Sequence, residues 1–129
     1  MARLSFVLAM VIGSLSLATA ARAADDANVS DVRCVLVGFV GMQSPDPQTK
    51  AIARGAILYF VGRVRARAPN LDLEAAISKQ LSLITPQLLQ AETQRCGGLL
   101  KAEGDKLTTI GMDMSKKAAA SSPPAAAHK

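Results

Sequence analysis

Tryptophan is absent from this sequence, tyrosine occurs once and phenylalanine three times. A chain so poor in aromatics lacks the stacking platforms on which single-strand nucleic-acid binders hold bases, and it has few of the anchors that dominate tight dedicated interfaces. Histidine is nearly missing as well: His128 stands alone, one residue from the end, where nothing would orient it as a proton carrier or a metal ligand. Only two cysteines occur, Cys34 and Cys96, with no close-spaced pair of thiols, so neither a zinc site nor a redox dithiol is indicated. Nucleophile-elbow, phosphate-loop and zinc-helix motifs are all missing. Glu92 and Glu103 stand eleven residues apart on one expected helix, too far to work as an acid and base pair, and are expected to flank its face in water. The reading is therefore of a protein without catalytic residues, metal or cofactor. Strong charge is lacking too, since 15 Lys and Arg against 10 acids leave +5, which is mild for a nucleic-acid partner.

What is present begins with an address. Arg3, the apolar run Phe6 to Leu17 and the small-x-small triplet Ala21-Arg22-Ala23 compose a secretory signal peptide over residues 1–24. The run is too short to cross a bilayer, which needs about 20 apolar residues, and no cysteine sits at the junction to carry a lipid. Cleavage removes Arg3 and Arg22, leaving 13 basic residues against 10 acids and a net charge of about +3. The expected home is the periplasm or the exterior, without a transmembrane segment, and there the two cysteines read as one structural disulfide.

The remainder reads as an all-α domain over residues 25–115, a small bundle of four helices. Val32 to Met42 is almost wholly apolar and follows Asn28, Ser30 and Asp31, residues suited to capping a buried first helix. Ser44-Pro45-Asp46-Pro47 breaks it, and Asp46 followed by Pro47 opens a second helix ending near Ala68, before Pro69. Ile52, Gly55, Tyr59, Gly62 and Ala66 recur at helical spacing and mark its expected packing face, with Tyr59 a core residue whose hydroxyl is hydrogen-bonded. Asp72 caps a third helix with the stripe Leu73, Ile77, Leu81 and Ile84, and Thr85-Pro86 opens a fourth. The disulfide would then join the first helix to the fourth.

In the fourth helix Gly97, Leu100, Gly104, Leu107, Gly111 and Met114 follow one another at steps of three and four. Interior glycines cost roughly 0.8 to 1 kcal/mol each relative to alanine, so three in register point to the close approach of a neighbouring helix, with Gly55 and Gly62 as its counterpart. The competing reading is that Gly97-Gly98 ends one helix as a C-cap. From Lys116 to Lys129 the chain is Ala-, Ser- and Pro-rich and lacks large apolar residues, which reads as a disordered tail. Arg63, Arg65 and Arg67 cluster at the end of helix two. They complement its dipole there, or form a patch for an acidic partner or anionic lipid head groups, a weak membrane-surface contact.

Thr85-Pro86-Gln87-Leu88-Leu89-Gln90-Ala91-Glu92-Thr93-Gln94, with one cysteine early and one in this helix, resembles the small periplasmic acid-stress chaperones of the HdeA type. Here the second cysteine comes about one turn later than in that family's pattern. Tyr59-Phe60-Val61-Gly62-Arg63 is similar to a stretch of uncharacterised secreted bacterial proteins and of Tai-type immunity proteins. The resemblance implies a non-enzymatic envelope protein with protein partners: a stress chaperone holding unfolded clients through apolar helical faces, or a dedicated module blocking one toxin. An acid role is consistent with the charge, which would approach about +14 near pH 2 as carboxylates protonate, counting 13 Lys and Arg and His128.

Overall fold

The computed structural model describes residues 4–121, with side chains from Arg22 onward. Four helices account for nearly all of them: α1 (Leu4–Gly41), α2 (Pro47–Arg67), α3 (Leu73–Leu81) and α4 (Pro86–Ser121), with no strand among the described residues. None of these helices is long and apolar enough to cross a membrane, as far as the described residues go. The chain divides into two units, Met1–Thr93 and Gln94–Lys129. A disulfide between Cys34 and Cys96 covalently links α1 and α4.

Three of the helix starts follow from local chemistry. Asp46 accepts from the Gln48 and Thr49 amides at 3.3 and 2.8 Å, and from the Thr49 hydroxyl at 2.6 Å. The hydroxyl bond, followed by the Thr49 amide, holds the Asp46 carboxyl below its ordinary pKa. A carboxylate depressed in this way supports the fold above the ordinary carboxylate range and loses that contribution as pH falls through its folded value. Asp72 accepts from the Ala75 amide at 3.0 Å and Thr85 Oγ1 from the Leu88 amide at 3.2 Å, so the caps expected for α3 and α4 are in place.

In the first unit α1 packs against α2 and α3. Its core is small: Val32, Val35 and Leu36 of α1 and Ala53, Ala56, Phe60 and Val64 of α2 are its buried apolar residues beside Cys34. The packing face of α2 is thus one residue round from the expected stripe. Ile52 is 59% exposed, Gly55, Gly62 and Ala66 face solvent, and Tyr59 is half-buried beside a fully buried Phe60. Where α1 presents its glycines, α2 comes close with Ala53 and Ile57. A Cβ on Gly38 would fall 2.5 Å from Ile57 Cγ1 and 3.3 Å from the Ala53 carbonyl, and one on Gly41 would fall 2.9 Å from Ala53 Cβ. By contrast a Cβ on Gly55, Gly62, Gly97, Gly104 or Gly111 would meet nothing within 4 Å. The close approach expected along those glycines lies instead at Gly38 and Gly41. Gly38→Leu is accordingly expected to destabilise the protein by roughly 1–3 kcal/mol through overpacking against the Ile57 side chain and the Ala53 carbonyl, measured by urea denaturation; an unchanged midpoint would show that α2 is free to retreat.

Two boundaries also differ from expectation. Asn28, Ser30 and Asp31 cap nothing: α1 passes straight through them, since Ala-rich sequence without proline precedes them and offers no reason to stop. Gly97-Gly98 does not end a helix, and α4 continues beyond Lys116 to Ser121. The remaining residues of the expected tail, 122–129, lie outside the described residues, as do residues 1–3 of the expected signal peptide.

Candidate functional site

The first turns of α1 that the structure describes in full carry an unusual row of polar side chains into the interior. Asn28 and Asp31 are one turn apart, so both face α2, and both are buried, Asp31 to 2% exposure. Arg63 and Arg67, four apart on α2, converge on them. Arg63 Nε donates to Asp31 Oδ2 at 3.0 Å, and Arg67 Nη2 donates to the same oxygen. Arg67 Nε donates to Asn28 Oδ1 at 3.0 Å and Nη2 to the Ala27 carbonyl at 3.3 Å. Arg63 is fixed further by Tyr59, whose hydroxyl accepts from Nη1 at 3.1 Å. Its guanidinium carbon lies 5.5 Å from the Tyr59 ring centre and 5.9 Å from that of Phe60, within reach of a cation–π attraction. The Tyr59 hydrogen bond raises the Arg63 pKa, burial opposes it and the Asp31 charge assists, so this cation stays charged.

The arginine cluster is therefore not the open anionic-partner patch its spacing suggested. Arg63 and Arg67 find their anion inside the chain, and Arg65, on the other side, donates to the Pro69 and Leu71 carbonyls at 3.0 and 2.8 Å. Arg65 and Arg67 both stand in the last turn of α2, where a cation complements the helix dipole, and Arg65 ties that turn to the loop that follows.

A second node faces the other way. Arg33 Nε donates to Gln80 Oε1 at 3.0 Å and Nη1 pairs with Glu92 Oε1 at 3.5 Å. Gln80 is the one buried residue of α3, and Glu92 is 7% exposed. Glu92 thus does not lie in water beside the glycines. Glu103 does lie at the surface, paired with Lys106 at 2.7 Å. The sequence contained the signal for the first node: amide and carboxylate at 28 and 31, arginines at 63 and 67, one helical turn apart in each case. It lacked the information that α1 presents that side to α2.

Beside these nodes the same stretch of α1 and one side of α3 form an open cleft of about 460 Å³. Val29 and Val32 of α1, Leu71, and Ala75 and Ala76 of α3 give it an apolar lining; Asp25, Asp72 and Lys79 supply charge. Asn28 and Gln80 also reach it, but their side chains are already engaged by Arg67 and Arg33. What the cleft offers a ligand is apolar surface with charges beside it, a volume in the usual range for small-molecule or side-chain binding. None of the residues singled out from the sequence as a helix-packing seam or an arginine patch contributes to its lining.

Comparison with known proteins finds no matching family model, no matching curated protein and no matching solved structure.

Proposed function

We propose that this is a non-catalytic protein of the cell envelope that binds exposed apolar segments of other polypeptides, with the cleft between α1 and α3 as its binding surface. The observation that carries the reading is the lining of that cleft. Two valines, a leucine and two alanines give it its apolar lining, and the two amides that reach it, Asn28 from α1 and Gln80 from α3, are held in internal hydrogen bonds. Such a surface favours apolar side chains with little demand on their geometry, which suits many clients better than one substrate. The signal-peptide pattern of residues 1–24 and the disulfide support an oxidising compartment. With cleavage near Ala24 the mature chain would keep every residue that lines the cleft.

Stoichiometric protein is expected to keep an unfolding envelope protein from aggregating, both at neutral pH and on neutralisation from pH 2 to 3. Ala75→Glu, which places a charge in the apolar lining, should abolish the protection, whereas Ala91→Glu on an exposed face of α4 should leave it intact. Equal protection by both variants would remove the cleft from the account. Recovery of one folded partner in fixed stoichiometry, with no effect on unfolded clients, would favour the dedicated toxin-blocking module instead.

A further inference from the structure

The second unit exposes an apolar seam on α4 that the cleft does not explain. Leu107, Ile110 and Met114 are 67%, 53% and 65% exposed, and a Cβ on Gly97, Gly104 or Gly111 would meet no neighbour within 4 Å. On a helix, Gly97, Gly104 and Gly111 occupy one position of a seven-residue repeat and Leu100, Leu107 and Met114 another, side by side along one face. Ile110 borders that face in company with Glu103 and Lys117, each seven residues from it.

We infer that this seam pairs with the same seam of a second copy, the two helices running antiparallel about a two-fold axis beside Ile110. The seam carries large and empty positions in alternation, so it is complementary to itself under a two-fold, as an isologous interface requires. Parallel pairing would stack glycine on glycine and leave voids between layers. Antiparallel pairing sets Gly104 against the partner's Met114 and Leu107 against the partner's Gly111, and Leu100 then meets the partner's Ala118, so large faces small in every layer from Leu100 to Ala118. Charge selects the same arrangement. Glu103 and Lys117 lie symmetrically on either side of Ile110 along one flank, so each meets the opposite charge on the other copy; a parallel pair would place Glu103 beside Glu103. Lys117 makes no ion pair among the described residues, and Glu103 is engaged only by Lys106, three residues along an exposed face. Such a surface pair is worth little and gives way readily. From Gly97 to Ser121, the positions this register pairs at its ends, the contact would run about 36 Å at 1.5 Å per residue, between three and four heptads, long enough for a coiled pair. It shares no residue with the cleft and stands apart from the function proposed for it.

Sedimentation equilibrium of the full protein from about 1 to 100 µM tests the pairing, with helix content followed by circular dichroism. A reversible dimer is expected. Leu107→Lys should abolish it, while Met112→Lys, at an exposed methionine off the seam, should leave it unchanged. Gly104→Leu should keep or raise the helix content of each chain yet block pairing, because the gap that receives Met114 is filled. Glu103→Lys and Lys117→Glu should each weaken association about tenfold, and the two together should restore it. A monomer at every concentration, a dimer indifferent to Leu107→Lys, or a double reversal that fails to restore pairing would each overturn the inference.

Discussion

Replacing Asp31 by alanine is expected to cost roughly 3 kcal/mol of stability, among the largest effects of any single substitution in this protein. The carboxylate is 2% exposed and is shared by two guanidinium groups, Arg63 and Arg67, from the neighbouring helix. Removing it leaves two cations facing each other at the α1–α2 contact without their anion, and breaking a buried pair from one side typically costs about 3–5 kcal/mol. The arginines keep about a third of their side-chain surface in water, 35% and 28%, which places the expectation at the lower end of that range. Asp31→Asn retains the shape and one acceptor and should cost less. Urea denaturation at unchanged slope reads the difference. An Asp31→Ala midpoint corresponding to a loss under about 0.5 kcal/mol would show that water replaces the carboxylate and that the node adds nothing to folding.

Reduction of the Cys34–Cys96 disulfide is expected to lower the melting temperature by roughly 15–30 °C. Sixty-one residues lie between the two cysteines, and cross-linking a loop of that length restricts the unfolded chain by about 4 kcal/mol. The apolar core of the first unit is small, and stability of this order is a large part of what a domain of about 100 residues holds. At about 4–8 °C per kcal/mol for such a domain, the shift follows. Both cysteines are buried, so native protein should also resist reductant until it opens. A melting temperature that moves by only a few degrees on full reduction would mean that the core supplies the stability alone.

The parts of the fold legible in the sequence were those decided within one helical turn. Asp46 before Pro47, Asp72, and Thr85 before Pro86 each fix a helix start by a hydrogen bond to an amide two or three residues on, and no tertiary contact is needed to make them work. The all-α character followed from the same kind of reading, and the joining of α1 to α4 from there being only two cysteines behind an export signal. Which side of each helix is buried did not. On α2 two faces carry small and apolar residues at helical spacing, one through Gly55 and Tyr59, the other through Ala53, Ala56, Phe60 and Val64. The choice between them rests on Gly38 and Gly41 of a different helix. Asn28 and Asp31 carry side chains that suit a cap and an internal ion pair equally, and only the arrival of Arg63 and Arg67 decides. Glu92 shows the same limit, since a glutamate on a long helix reads as solvent-exposed until Arg33 is seen beside it. The cleft was not legible at all, because its lining is assembled from short apolar residues such as Ala75 and Ala76 that carry no chemical signature of their own.

The central claim, that the cleft between α1 and α3 receives apolar segments of unfolded chains, is tested most directly by methyl nuclear magnetic resonance of the whole protein. A reduced and alkylated protein that cannot fold serves as the probe, with its native form as the control. The methyl signals of Val29, Val32, Leu71, Ala75 and Ala76 are expected to shift as the unfolded probe is added and to stay in place with the folded control. Shifts of equal size with both forms, or shifts confined to methyls outside the cleft, would contradict it.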